Sequence, residues 1–137
     1  MEPFTIGKLA RLSGVGVETV RFYERRGLIK QPAVKEGFRK YSEADAQRIR
    51  FIKRAQDLGF TLKEIKVLLE LNADPRSTCA DIKDQTEAKM KEVEEKIRDL
   101  KKMKKSLERL SVACGEGKKA IAHCEILNCF EPGWKCE

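Results

Sequence analysis

The 137-residue sequence has little of what an enzyme active site or a membrane protein needs. It contains a single histidine, and it shows neither a paired nucleophile and base nor a glycine-rich phosphate loop. Aromatic residues make up only 7% of the chain, which suits a helical protein better than a sheet sandwich. No apolar run reaches membrane-spanning length, and none near Met1 resembles a secretory signal. We therefore expect a mainly α-helical, cytoplasmic protein that is not an enzyme and does not enter a membrane.

The positive charge of the chain is concentrated in its first half. Residues 1–76 hold sixteen lysines and arginines against ten acidic residues, a net charge of +6, whereas residues 77–137 have a net charge of +1. Nucleic acid is the polyanion that such a basic surface most often matches, although a basic surface can also serve solubility alone. Charge therefore favours DNA as a partner but does not establish it.

Two short amphipathic segments separated by glycines open the chain. Apolar residues recur at helical spacing in residues 6–12 and again in residues 17–26, and a Ser-Gly-Val-Gly segment interrupts them. Two short helices joined by a tight, glycine-containing turn form a helix-turn-helix, here over about residues 6–26. Two short strands, at residues 28–29 and 38–41, are predicted to follow around a loop. The sequence thus predicts a winged helix-turn-helix, with the wing over about residues 28–41.

Two further helices are marked by their capping residues. Ser42 is placed to begin a third helix, and Gly59 to end it. Thr61 and Glu64 have the spacing of a capping box, so a fourth helix is predicted immediately after Thr61. Together these elements make up a DNA-binding domain that we predict for residues 1–75.

Residues 79–112 contain no glycine or proline and predict one long helix. Apolar residues recur there every three or four positions, the pattern of a coiled-coil seam: Val93, Ile97, Leu100, Met103, Leu107 and Leu110. A helix of this length spans roughly 50 Å and must bury its apolar stripe. A second copy, packed antiparallel or parallel about a two-fold axis, is the simplest partner. We therefore predict a homodimer with a dimerisation helix over residues 76–112, and a metal-binding loop and tail over residues 113–137.

The second helix of the helix-turn-helix is the predicted DNA reader. A helix of this size fits the major groove with its N-terminal residues toward the base edges. The expected base readers are Glu18, Thr19 and Arg21. The residues expected to hold phosphates and set the register are Tyr23, Arg39 and Tyr41. The alternative is that the tyrosines are ordinary semi-buried aromatics and the arginines a solvated face.

The five cysteines fit thiols or metal ligands better than disulfides in a reducing cytosol. Cys79 opens the long helix, Cys114 follows its end and Cys124 lies in the loop beyond, so Cys79 and Cys114 are roughly 50 Å apart in one chain. In an antiparallel dimer, Cys79 of one protomer approaches Cys114 and Cys124 of the other, giving two three-thiolate sites. The alternative for each cysteine is that it is only a small buried hydrophobe.

Three sulfur ligands favour a soft ion over oxygen-seeking metals. Hg(II), Pb(II), Cd(II) and Zn(II) all remain candidates at this point. Closed zinc sites usually have four ligands, so zinc or cadmium would need a further ligand from His123, Cys129, Cys136 or water. His123 adjoins Cys124, but neighbouring side chains on regular structure point apart.

Four runs of sequence closely resemble the MerR family of bacterial regulators: Phe4–Ala10, Val17–Ile29, Phe38–Tyr41 and Leu58–Ile65. The resemblance covers nearly the whole chain. It implies a dimer on a promoter with an overlong spacer, which represses when metal-free. It also implies that metal binding makes the dimer distort the DNA so that RNA polymerase can initiate.

The cysteine pattern most resembles the mercury-responsive branch of that family. The resemblance implies one Hg(II) per site, held by three thiolates across the dimer. Cys129 and Cys136 depart from the branch pattern, and lead and zinc or cadmium sensors of the family use cysteines at similar places. We therefore predict a Hg(II)-sensing repressor and activator of a mercury-resistance operon, with a Pb(II) or Zn(II)/Cd(II) sensor as the alternative. A thiol-rich metal-buffering protein, whose basic half is incidental, is the alternative from another class.

Overall fold

A computed structural model describes residues 4–35, 37–128 and 130 of the chain. Its elements, in chain order, are α1 (Ile6–Ser13), α2 (Val17–Arg25), β1 (Val34–Lys35), β2 (Phe38–Arg39), α3 (Glu43–Asp57), α4 (Leu62–Ala73), α5 (Cys79–Cys114), a 3-10 turn (Ile121–His123) and α6 (Glu125–Asn128). The predicted fold class, mainly α-helical with a winged helix-turn-helix and one long helix, is confirmed. The chain divides into two compact units, one ending at Lys89 and one beginning at Met90. The domain boundaries proposed from the sequence, after residues 75 and 112, stay predictions.

The core of the N-terminal unit forms where the first four helices meet. Helix α1 contacts both α2 and α3, and α3 contacts α4. Each of these helices buries apolar side chains completely, at the spacing that its sequence predicts: Leu9, Val20, Ile49, Ile52 and Ile65. The burial of this apolar surface is the main favourable contribution to the stability of the helix-turn-helix.

The turn between α1 and α2 depends on a glycine. Gly14 has a φ of +73°, a left-handed conformation that costs glycine little and other residues much more. The Val15 N–H donates to the Ala10 carbonyl at 3.0 Å, which closes the last turn of α1. The chain can therefore reverse within three residues and begin α2 at Val17.

The wing differs from the prediction in its first strand. The structure pairs Val34–Lys35 with Phe38–Arg39 in an antiparallel ribbon, whereas Leu28 and Ile29 form no strand. Both of these residues are buried in the core, and the Leu28 carbonyl accepts a 2.6 Å hydrogen bond from Arg48 Nε. The predicted strand at residues 28–29 was wrong because these apolar side chains fill the core and do not pair with a neighbouring strand.

The base of the wing is tied to the segment that precedes α1. The Phe4 N–H donates to the Tyr41 carbonyl at 3.0 Å, and the Tyr41 N–H donates to the Phe4 carbonyl at 2.7 Å. Both rings are buried. This bridge, which the sequence did not reveal, fixes where the chain leaves the wing.

The C-terminal unit consists of the rest of α5 and the short segments after it. Helix α5 runs two residues further than predicted, so Cys114 is its last residue. Five of the six predicted seam residues are at least 39% exposed in the single chain, and Leu110 is buried. Within the described residues, no helix combines the length and apolar character that crossing a membrane requires.

The predicted capping box at the start of α4 is confirmed. Glu64 Oε1 accepts from the Thr61 N–H at 2.8 Å, and Thr61 Oγ1 accepts from the Glu64 N–H at 3.2 Å. The same Glu64 oxygen lies 2.8 Å from Lys89 Nζ. The hydrogen bond from Lys89, together with that from the Thr61 backbone, lowers the pKa of Glu64 from 4.5 to about 2.

This lowered pKa predicts an acid-sensitive contribution to stability. The unfolded chain takes up the proton near pH 4.5 and the folded chain only near pH 2. The contribution is therefore complete above about pH 4.5 and lost as the pH falls toward 2. We expect Glu64→Gln to have a lower Tm than wild type at neutral pH, and the difference to shrink through this window. Thermal unfolding at a series of pH values measures it, with Glu70→Gln, an exposed carboxylate of the same helix, as the matched control. A difference that did not change with pH would contradict the prediction.

Candidate nucleic-acid interface and cysteine sites

Helix α2 presents its predicted base readers to solvent. Val20 is buried against the core, while the Glu18 and Arg21 side chains are exposed and Thr19 is half-buried. Arg21 Nη1 lies 3.4 Å from Glu18 Oε1, and the arginine side chain is 54% exposed. An exposed pair of this kind is worth little, so both side chains are free to turn toward another partner.

Two phenol hydroxyls form hydrogen bonds that join α2 to neighbouring parts of the domain. Tyr23 donates to Gln56 Oε1 on α3 at 2.6 Å, and Tyr41 donates to Glu24 Oε2 on α2 at 2.9 Å. Burial raises the pKa of both tyrosines, and burial together with the hydrogen bond to Glu24 raises that of Tyr41 to about 12. Both hydroxyls therefore stay protonated and act as donors at neutral pH.

This placement concerns two of the predicted phosphate contacts, Tyr23 and Tyr41. Tyr23 and Tyr41 are 1% and 2% exposed, and both hydroxyls are already bonded within the chain. Both side chains are thus buried in the single chain, and the phosphate contacts predicted for them stay a prediction. Their geometry is that of positioning residues for α2. Gln56 and Glu24, which accept these bonds, were not identified from the sequence because no local pattern marks them.

A cleft of about 140 Å³ lies between α2 and the wing. Its lining includes Arg21 on α2, Arg39 on β2, and Thr5, the residue that caps α1. Arg39 is exposed, as the predicted phosphate contact requires. Helix α2 and the wing thus present one arginine each to a shared opening, which the Glu24 carboxylate also lines.

Cys79 is the first residue of α5 and is exposed. The Thr78 N–H donates to Asp81 Oδ2 at 2.8 Å, one half of a capping interaction that fixes the first turn of the helix. The structure thereby holds Cys79 on a rigid element with its thiol accessible to a ligand.

Cys114 and Cys124 belong to the C-terminal unit, and both are half-buried free thiols. Cys114 ends α5, and Cys124 follows the 3-10 turn Ile121–His123. His123 is exposed in that turn. Cys129 and Cys136, the predicted auxiliary ligands, lie outside the described residues.

Cys79 and Cys114 lie at opposite ends of α5. Helix α5 has 36 residues, so at about 1.5 Å per residue its ends lie roughly 50 Å apart. Among the described residues, no group of three histidine, cysteine, aspartate or glutamate side chains is placed to hold a metal ion. A site that uses both Cys79 and Cys114 would therefore need a second chain.

The winged helix-turn-helix with an exposed arginine on its reading helix defines the class of this protein as a DNA-binding regulator. Comparison with known proteins agrees: residues 4–72 match the description "MerR HTH family regulatory protein", and residues 46–110 match "MerR, DNA binding". The chain belongs to the MerR family of transcriptional regulators.

Three similar proteins show how closely the chain follows regulators of this family. It is 38% identical over 132 residues to the HTH-type transcriptional regulator ZntR of Escherichia coli K12, covering 95% of this chain and 94% of the relative. It is 43% identical over 125 residues to the mercuric resistance operon regulatory protein of Bacillus cereus, covering 90% and 94%. Among solved structures, the transcription regulator PbrR691 from Ralstonia metallidurans CH34, in complex with lead(II), matches with a TM-score of 0.82. That match has 35% identity and covers 93% of this chain and 99% of the other. These relatives are transcriptional regulators, not enzymes.

Proposed function

We propose that this protein is a Hg(II)-responsive repressor and activator of a mercury-resistance operon, acting in the cytoplasm as a homodimer on promoter DNA. The observation that carries the proposal is the placement of free thiols at the two ends of one long helix, Cys79 at its start and Cys114 at its end. Similarity to the mercuric resistance operon regulatory protein of Bacillus cereus supports it.

The dimer follows from the apolar stripe of α5. Five of its six seam residues are exposed in the single chain although they recur with coiled-coil spacing. A second copy packed antiparallel would cover the stripe and bring Cys79 of one protomer to Cys114 and Cys124 of its partner. By two-fold symmetry, each dimer then has two equivalent sites. Burial of the stripe and assembly of the site would be achieved by the same contact.

The donor set fits a soft effector ion. Three thiols are the ligands that thiophilic metals prefer, whereas magnesium or calcium would need oxygen ligands. Hg(II) would be held by Cys79, Cys114 and Cys124 without a fourth ligand. Pb(II) is the main alternative, and Cd(II) or Zn(II) would recruit His123, Cys129 or Cys136.

On the promoter, we propose that α2 enters the major groove. Glu18, Thr19 and Arg21 would contact base edges, and Arg39 would hold a phosphate from the wing. Tyr23 and Tyr41, with their internal hydrogen bonds, would keep α2 at the correct angle. Metal binding would favour a conformation of the dimer that distorts the DNA and lets RNA polymerase initiate. The deformation costs a few kcal/mol, which is within reach of a bound effector.

A reporter assay across four ions tests this proposal. The promoter that lies upstream of the regulated genes drives the reporter, and Hg(II), Pb(II), Cd(II) and Zn(II) are added separately over the same concentration range. We expect Hg(II) to induce at the lowest concentration and to the highest level. Dominant induction by another ion would overturn the assignment of mercury, and no induction by any of the four would overturn the metal-responsive function itself.

A further inference from the structure

Lys89 is a buried lysine on the part of α5 that belongs to the N-terminal unit. It is 6% exposed, while its neighbours Ala88 and Met90 are exposed. Its ammonium group lies 2.8 Å from Glu64 Oε1 and 5.6 Å from the centre of the Phe60 ring. Lysine is rarely buried unless it is paired, so this contact is a specific feature of the packing of α5.

The pair differs in kind from two exposed ion pairs of α5. Lys83 and Glu87, at 3.7 Å, and Lys104 and Glu108, at 3.9 Å, are exposed and add little to stability. In general, replacing both partners of a buried ion pair by apolar side chains of similar volume is often neutral for stability, although removing one partner alone is costly. Stability alone therefore does not explain a lysine here, whereas a fixed orientation of α5 does.

Glu64 joins this contact to the helix-turn-helix. Its Oε1 accepts from both Lys89 Nζ and the Thr61 N–H, so the lysine and the cap of α4 share one oxygen. Only three residues separate Thr61 from α3. Gln56 of α3 accepts the hydrogen bond from Tyr23 on α2. A displacement of α5 that moves Lys89 would thus alter the cap of α4 close to the segment that anchors α2.

We propose that the Lys89–Glu64 ion pair is the contact through which a metal-dependent movement of α5 reaches the DNA-binding helices. Lys89 is on this view a positioning residue that binds neither metal nor DNA. The proposal rests on the proposed metal-responsive function. It predicts that breaking the pair separates two properties: the protein still binds DNA and metal, but metal no longer changes transcription.

The test compares Lys89→Met and Glu64→Gln with Lys83→Met, which removes an exposed lysine of the same helix. Methionine keeps the length of the buried side chain, and glutamine keeps the oxygen that caps Thr61. For each variant, the thermal midpoint, the affinity for the promoter DNA without metal, the affinity for Hg(II) and the metal-dependent induction ratio are measured. We expect both test variants to lose about tenfold in induction ratio, a typical allosteric coupling, with DNA and Hg(II) affinities within about threefold of wild type. Lys83→Met should induce normally.

The induction loss of the double variant and the metal response of wild type decide whether the proposal holds. If the two residues act as one contact, the double variant Lys89→Met/Glu64→Gln should lose no more induction than either single variant. Wild-type induction in both test variants, or a parallel loss of folding, DNA affinity and induction in both, would overturn the proposal. Failure of the proposed function is distinguished from this, because wild type itself would then not respond to Hg(II), Pb(II), Cd(II) or Zn(II).

Discussion

Each of the substitutions Cys79→Ser, Cys114→Ser and Cys124→Ser is expected to abolish metal-induced transcription while promoter binding survives. Serine is nearly isosteric with cysteine but lacks the thiolate that a soft ion requires, so each change removes one of three ligands. Induction should fall to the uninduced level, a loss of about 5- to 150-fold for an allosteric coupling of ordinary size. DNA affinity without metal should change little because none of the three cysteines lies on α2 or the wing.

Reporter induction and a DNA-binding titration on the same purified variants measure the two properties separately. Ala80→Ser and Ala113→Ser are matched controls, since each places a hydroxyl beside a proposed ligand and removes no thiol. Normal induction by any of the three cysteine variants would show that the residue concerned is not a required ligand.

Mixed dimers test whether the site spans two chains. A dimer of one Cys79→Ser chain and one Cys114→Ser chain keeps one intact set of ligands if Cys79 acts with Cys114 of the partner. Metal binding should therefore return at one site in each mixed dimer, although neither parent variant binds the ion tightly. If the mixed dimer bound no metal, the antiparallel arrangement of the two α5 helices would be wrong.

The substitution Arg21→Ala is expected to cause the second large effect. Specific promoter binding should be lost while metal binding stays intact. Arg21 is an exposed arginine of α2 and can form two hydrogen bonds with a guanine edge in the major groove. Losing a contact of this kind costs about 1–3 kcal/mol and relaxes specificity at one base pair. Affinity for the specific site should thus fall by roughly 5- to 150-fold.

A titration of specific and random DNA at one fixed salt concentration measures the effect of Arg21→Ala. Arg76→Ala is the matched control because it removes the same charge from an exposed side chain in the loop between α4 and α5, where it pairs with Asp74. Equal weakening on specific and random DNA would identify Arg21 as a phosphate contact only. Loss of specific binding with normal Hg(II) uptake would exclude the metal-buffering alternative, whereas a wild-type protein without any preferred DNA site would favour it.

The local elements of the fold could be predicted because short-range chemistry specifies them. Thr61 and Glu64 satisfy free backbone N–H groups three residues apart, so their spacing marks the start of α4 wherever the helix packs. The absence of glycine and proline from residues 79–112 likewise left a long helix as the natural conformation. The length of that helix also placed Cys79 and Cys114 too far apart to meet in one chain.

The contacts that orient these elements could not be predicted, because they join residues that are distant in sequence. Tyr23 and Gln56 are 33 positions apart, and nothing near either residue indicates that they form a hydrogen bond. Leu28 and Ile29 resembled a strand because two adjacent apolar residues suit a strand and a core loop equally well. Only the packing of α3 beside them showed that they belong to the core.

By itself, the amino-acid sequence determined the helices, their caps and the position of each arginine and thiol along the chain. The tertiary structure decided which polar groups lose contact with water. It buried Tyr23 and Tyr41, which the sequence predicts to contact phosphates, and bonded their hydroxyls to Gln56 and Glu24. It also buried Lys89, which lies in a highly charged helix and looks solvent-exposed in the sequence, against Glu64. Local patterns report backbone preference and periodicity, whereas the burial of a polar group depends on which distant surface packs over it.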